Sequence, residues 1–356
     1  MLETNKKRVV VTGLGVVSPI GNNITDFKNS LINLNSGIIH IPEMANYGFG
    51  CQVAGIPDVK QSPCYQYIEK YHLSDSAKII QYAVTAALEA WLDAGFEIPT
   101  PNQGETNYDI GCIIGSGIGS PDIFSEKIIP YTQAKRIKHL RSSIVEKSML
   151  SGASANLGWI LALGNQLSFN SSACSTGLES IILAFERIQS GKAKCMVAGS
   201  AEADYIYTWA CFDAMQVLNR KKNDKPDEAS CPMSAEAAGF VPGAGAGALI
   251  LEEYEHAVSR GAKIYAEIIS ANINSGGQRN SGTMTIPNPE GVIRCITQTV
   301  EEAQINSSEI DYINGHLSST IADIIEIKNW VNALNRYGND FPIINSLKSL
   351  TGHCIG

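Results

Sequence analysis

The stretch SSACSTG, residues 171–177, carries one thiol, Cys174, where one hydrophobic pattern gives way to another. Upstream, LSFNSSA alternates as a strand does. Downstream, Leu178, Ile181, Ile182, Phe185 and Ile188 recur at helical spacing, and Gly191 reads as the stop. A thiol at a helix start meets unpaired N–H groups and the positive end of the helix dipole, and both favour a thiolate. The Cys174 pKa is therefore expected to be depressed. The small neighbours Ser172, Ala173, Ser175 and Gly177 leave room for a substrate. For an acyl substrate, the Cys174 N–H could also donate to an oxyanion. A buried structural cysteine fits the same local pattern, which alone does not choose between the two.

The chain has six histidines. His316, in DYINGHLSST, and His353, in NSLKSLTGHCIG, each follow a short apolar run that reads as a strand. Strand ends of an α/β sheet are where active sites collect. Lys348 precedes His353 by five residues, and Asp323 and Glu326 follow His316 at helical spacing. Those charges either support the histidines or pair at the surface.

Elements must bring these groups together. The apolar patterns predict strands at 8–17, 110–115, 166–173, 195–201 and 246–251, and helices at 75–94, 149–163, 175–189 and 291–304. Ser74 or Asp75 is the expected N-cap of the first helix. Short apolar runs alternating with longer amphipathic ones read as α/β. FPIINSLKSLTGHCIG echoes LSFNSSACSTG, with His353 in the place of the cysteine, which suggests two related halves, 1–261 and 262–356. Residues 220–230, the most polar stretch, read as a solvated loop.

Composition narrows the classes. A net charge of -8 argues against nucleic acid as the main partner. No apolar run approaches the ~18 residues a membrane span needs. Nine scattered cysteines without a CxxC pair suggest neither a disulfide framework nor a zinc site, so no metal is expected and a cytoplasmic location is. Gly13 and Gly15, GSGIGS and GAGAG match a dinucleotide fingerprint only in part. Close backbone contact explains them better.

SSACSTG, GAGAGALILEEYEHAVSRGAKIYAEI, INGHLSST and NSLKSLTGH, in this order, resemble the β-ketoacyl-[acyl-carrier-protein] synthases of the thiolase superfamily. The similarity is to the elongating, Cys-His-His type and runs from VVVTGLGVVSPIGN to GHCIG. The resemblance implies an α/β thiolase-like layered αβαβα sandwich of two pseudo-symmetric halves, usually a homodimer, paired through the strand before the cysteine. It implies Cys174 as the acyl-accepting nucleophile and His316 and His353 as donors during decarboxylation. Lys348 would orient the histidines and pair with Glu326. Ser318 and Thr320 would contact phosphopantetheine, and Ile118 and Phe212 would lie near the acyl pocket. No separate cofactor is implied, because the substrates ride on acyl carrier protein.

The chain departs from the family pattern in places. HGTST becomes HLSST, so Leu317 replaces a glycine, and one residue is missing between Thr320 and Asp323. Ala238 and Ala244 stand where acidic residues are usual. The family continues past GHCIG with a helix, two closing strands and a glycine-rich loop bearing phenylalanine. That loop supplies a second oxyanion N–H, which no residue here is expected to provide. These losses suggest a divergent branch in fatty acid or polyketide/polyene synthesis. The alternative is a non-catalytic chain-length-factor-like partner in a ketosynthase heterodimer.

Overall fold

The computed structural model describes residues 6–356 except 277, 278, 280, 281 and 284. The β-branched run at the start forms β1 (Val9–Val17), and two short strands follow, β2 (Ile38–His40) and β3 (Val53–Gly55). Next come β4 (Ile110–Gly115), β5 (Leu167–Ser168), β6 (Cys195–Glu202), β7 (Gly245–Glu253) and β8 (Ala266–Ile268). The last two are β9 (Tyr312–Asn314) and β10 (Ile343–Asn345). Six of them make one mixed sheet in the order β5-β4-β6-β7-β1-β8. β4 runs parallel to β5 and β6, whereas β7 is antiparallel to β6 and β1. β8 adds to this first sheet, although it lies past residue 261. β9 and β10 pair in parallel as a separate two-stranded sheet.

Side chains alternate across the first sheet, as a period of two requires. On β4 and β6, Ile110, Cys112, Ile114, Cys195 and Val197 join one core, while Ile113, Met196 and Ala198 join another. The Lys78–Asp93 helix covers the first face with Ile80, Val84, Leu88 and Trp91. The Thr176–Gln189 helix covers the second with Ala184, Phe185 and Ile188. Burying each of the larger side chains contributes about 1.5–3 kcal/mol. The helix–sheet–helix layering of an α/β sandwich follows from these two faces.

Gly13 and Gly15 lie inside β1 rather than in a phosphate-binding turn. A Cβ on Gly15 would sit 1.9 Å from the Ala86 carbonyl, so the Lys78–Asp93 helix rests directly on the strand backbone. That helix starts later than its sequence predicts, and neither Ser74 nor Asp75 caps it. Ala77 is the cap residue and makes no side-chain bond; the Asp122 carboxylate accepts the Lys78 N–H at 2.9 Å instead. Asp75 is engaged by Lys127 and Lys147. The strand expected at 166–173 shrinks to β5, because it is a sheet edge with only Leu167 and Ser168 in register with β4.

Candidate active site

Cys174 sits just before the Thr176–Gln189 helix, and Ser175 is the cap residue. The approach is a tight turn in which Ala173 takes a φ of +50. Thr176 holds it from both sides: its hydroxyl accepts the Ser172 N–H at 2.9 Å and donates to the Ala173 carbonyl at 2.6 Å. Cys174 is exposed as a residue, but its sulfur opens into a cavity whose protein walls crowd it.

His316 follows β9, and its peptide is gripped from two directions. Glu326, on the Ala322–Leu334 helix, accepts the His316 and Leu317 N–H groups at 2.7 and 2.8 Å. The Lys348 ammonium donates to the His316 carbonyl at 2.6 Å. Lys348 and Glu326 thus grip one peptide from its two sides, and the Glu326 charge raises the Lys348 pKa against the burial that lowers it. Asp323, buried beside it, accepts the Ser318 and Ser319 N–H groups at 2.8 and 3.1 Å and shapes the following loop.

His353 is held by its main chain: its N–H donates to Val241 at 2.7 Å, and its carbonyl accepts from Gly243 at 2.8 Å. The ring is buried against Phe240, with centroids 5.1 Å apart. The Ile355 N–H donates to His353 Nδ1 at 3.0 Å. The neutral ring must then carry its proton on Nε2, as a hydrogen-bond donor.

These elements bring the thiol and the two imidazoles together. One polar atom from each of Cys174, His316 and His353 lies within 4.8 Å of the others, and the two rings meet edge-on at 5.1 Å. A thiol and two imidazoles this close could also receive a small cation, but a protonated Nε2 on His353 suits a substrate oxygen better. A cavity of about 290 Å³ opens here, lined among others by Cys174, Lys348, His353 and Cys354.

Electrostatics set the protonation states. Burial, reinforced by the Lys348 ammonium, holds His316 down to about 4. The residue as a whole is partly open to solvent, but protein groups crowd the ring on enough sides for burial to dominate. Burial pushes His353 well below the usual histidine range, with Lys348 acting in the same direction. Both rings are neutral at pH 7 and offer N–H groups without positive charge. The Cys174 thiol goes against the sequence expectation: burial raises its pKa, and Lys348 and its own N–H only partly offset that. The thiol lies outside the first helical turn, so desolvation outweighs the helix terminus.

The other predicted residues spread out. Ser318 and Thr320 lie on the loop past His316, hydroxyls 3.2 Å apart, and do not line the Cys174 cavity. Ile118 lines a second cavity of about 730 Å³, walled by Pro121, Phe124, Ile129, Leu150 and Tyr205 among others. Phe212 is not on that wall; it stacks edge-on against Phe240, which backs His353. The polar 220–230 stretch is tied inward, because the Ser230 hydroxyl donates to the Lys348 carbonyl at 2.6 Å. Sequence reasoning missed Phe240 and Glu202. A carboxylate ending the apolar run CMVAGSAE was the available signal for Glu202.

The family model for the β-ketoacyl synthase N-terminal domain matches residues 6–257, and that for the C-terminal domain matches 265–356. The chain belongs to the β-ketoacyl synthase family. It is 35% identical to the 3-oxoacyl-[acyl-carrier-protein] synthase 2 of Vibrio harveyi over 356 residues, 99% of this chain and 83% of the relative. Among solved structures, a ketosynthase complex with its type II polyketide acyl-carrier protein, bound to the hexaketide, matches with TM-score 0.84 and 31% identity. That match covers 98% of this chain and 83% of the other. A β-ketoacyl synthase from Burkholderia phymatum STM815 matches with TM-score 0.86 and 28% identity, over 98% and 83% of the two chains. The layered sheet of this β-ketoacyl synthase is thus the thiolase-like fold of its relatives.

Proposed function

We propose that this β-ketoacyl synthase is an acyltransferase that joins an acyl chain to malonyl-carrier protein by decarboxylative Claisen condensation. The observation that carries this reading is a thiol and two neutral imidazoles whose polar atoms lie within 4.8 Å of one another. The Cys174 sulfur attacks the thioester carbonyl of an acyl chain on its carrier; its proton passes to the departing carrier sulfur, which leaves as a thiol, and the chain is held as a thioester. Malonyl-carrier protein then loses carbon dioxide. The electrons of the broken bond move onto the thioester oxygen, where the His316 and His353 N–H groups stabilise the enolate. Its carbon attacks the acyl-Cys174 carbonyl, the bond to sulfur breaks, and a 3-oxoacyl-carrier product two carbons longer departs.

Lys348 and Glu326 hold the His316 peptide between them. Ser318 and Thr320 are assigned to the phosphopantetheine arm, and Ile118 and Phe212 to the acyl side. Acyl carrier protein is the partner, and no separate cofactor takes part. We further assign a cytoplasmic homodimer or a heterodimer with a related subunit, paired along the exposed β5 edge, and a division into halves 1–261 and 262–356. In the described residues, no helix is long and apolar enough to cross a membrane.

Two variants separate the half-reactions. Cys174→Ala is expected to abolish acyl loading while retaining some release of carbon dioxide from malonyl-carrier protein. His353→Ala is expected to keep loading but lose decarboxylation by about 100- to 1,000-fold, the usual cost of one oxyanion donor. Radiolabelled acyl transfer and carbon dioxide release measure the two steps. A wild-type chain that takes no acyl label would be a chain-length-factor-like partner instead.

A further inference from the structure

Glu202 is a buried carboxylate that the proposed steps do not use, 2% exposed at the end of β6. Three donors converge on it. The Ser116 hydroxyl and the Gly117 and Ile118 N–H groups reach it at 3.2, 2.8 and 3.3 Å. Gly356 packs against the same carboxylate, because a Cβ on it would lie 2.8 Å from the Glu202 oxygen and 2.4 Å from the Gly117 nitrogen, while its own N–H donates to the Cys354 carbonyl at 2.9 Å. The three donors belong to the loop that carries Ile118 to the wall of the larger cavity. Gly356 belongs to the segment that holds His353 and lines the Cys174 cavity. The contact is close on all sides: a Cβ on Gly117 would lie 3.0 Å from the carboxylate and 3.1 Å from the Ile355 side chain. One side chain therefore joins the floor between the two cavities.

We propose that Glu202 is a positioning residue for acyl chain length: it fixes the Ser116–Gly117–Ile118 loop against the segment 353–356, so that a long chain on Cys174 finds the Ile118 cavity open. The proposal rests on the reading of Cys174 as the acyl acceptor. A short acetyl group ends near the sulfur and does not reach the loop, so it needs no such support. A charged carboxylate satisfies all three donors. A protonated one turns part of its surface into a donor and must drop a partner. Burial, partly offset by these hydrogen bonds, places its pKa at about 7. The titratable groups facing Glu202 are the Cys174 and Cys354 thiols, and burial raises both. Neither adds a compensating charge at neutral pH.

The test is the loading of full-length protein with radiolabelled acetyl- and dodecanoyl-carrier protein, wild type against Glu202→Gln, from pH 6 to 8.5. In wild type, the dodecanoyl-to-acetyl ratio is expected to rise with pH through about 7. In Glu202→Gln it is expected to be flat and lower by about ten- to a hundredfold at pH 8, the range for a lost hydrogen bond to a charged group. The loss should appear in KM for the long chain, with acetyl transfer unchanged. Ser116→Ala, which removes a single donor, should shift the ratio the same way by less, even where Glu202→Gln folds poorly. Equal loss of acetyl and dodecanoyl loading in both variants would make Glu202 a structural residue and overturn the proposal. An unlabelled wild type would instead overturn the reading of Cys174 on which it stands.

Discussion

Lys348 acts on three titratable groups at once. Its ammonium lowers the pKa values of His316 and His353 and works against the burial that raises Cys174. It also anchors the His316 carbonyl. Removing the cation should move the Cys174 thiol further upward. The pH midpoint of iodoacetamide labelling at Cys174, read by peptide mapping, is expected to rise by about one unit in Lys348→Ala, the low end for loss of a nearby opposite charge. A midpoint that stays put or falls would show that Lys348 only holds the loop in place. At this scale the sequence carried the reactive types, because a thiol or an imidazole among small residues is visible in any register. It did not carry their ionisation. The thiol pKa depends on how deeply the turn at Ala173 lies in the fold, and the neutral histidines depend first on burial and then on a lysine thirty-two positions away in the chain from one of them.

The loop between β9 and the Ala322–Leu334 helix shows how far a local pattern reaches. Leu317 has a φ of +23, in the region that suits glycine and strains a branched side chain. Its side chain is nonetheless fully buried, with the Leu317 Cγ 2.9 Å from where a Cβ on Gly315 would lie. Strain and burial thus oppose each other at one residue. Leu317→Ala and Leu317→Gly both empty the same pocket, so their difference isolates the backbone. The glycine variant is expected to be more stable than the alanine variant by about 1 kcal/mol, the cost of a positive φ for a residue with a Cβ. Urea unfolding of the pair measures it, and an alanine variant equal to or above glycine would remove the strain. Element positions were legible where hydrophobic periodicity was long, as in the Lys78–Asp93 and Thr176–Gln189 helices. Their ends were not. The Lys78 N–H is capped by Asp122, forty-four residues onward, and β5 loses most of its predicted length because an edge strand has one partner.

Across the molecule, the active site depends on contacts between distant segments rather than on either sheet alone. Gly243 and Val241, ahead of β7, hold the His353 backbone, and the β3 residue Gly55 donates its N–H to Pro242 at 2.9 Å. The motif order in the sequence announced the family fold, but no local pattern could announce that the turn before β7 would seat His353. Burying two neutral histidines in this junction has a consequence for stability. As pH falls, the unfolded chain takes up protons near the ordinary histidine value of 6.5, whereas folded His316 does so only at about 4, and folded His353 well below 6.5. The unfolded state then binds more protons, so these two groups withdraw stability as pH drops from about 6.5 toward 4. Glu202 and Glu89 act in the opposite sense, because burial raises both above the ordinary carboxylate value and the folded state protonates first. The histidine share is obtained by difference. A His316→Asn, His353→Asn double variant is expected to lose less stability than wild type between pH 7 and pH 5, measured as the shift in urea midpoint. Identical pH dependence in the two proteins would mean that the rings accept protons in the folded state, which would also remove the neutral donors assigned to the enolate.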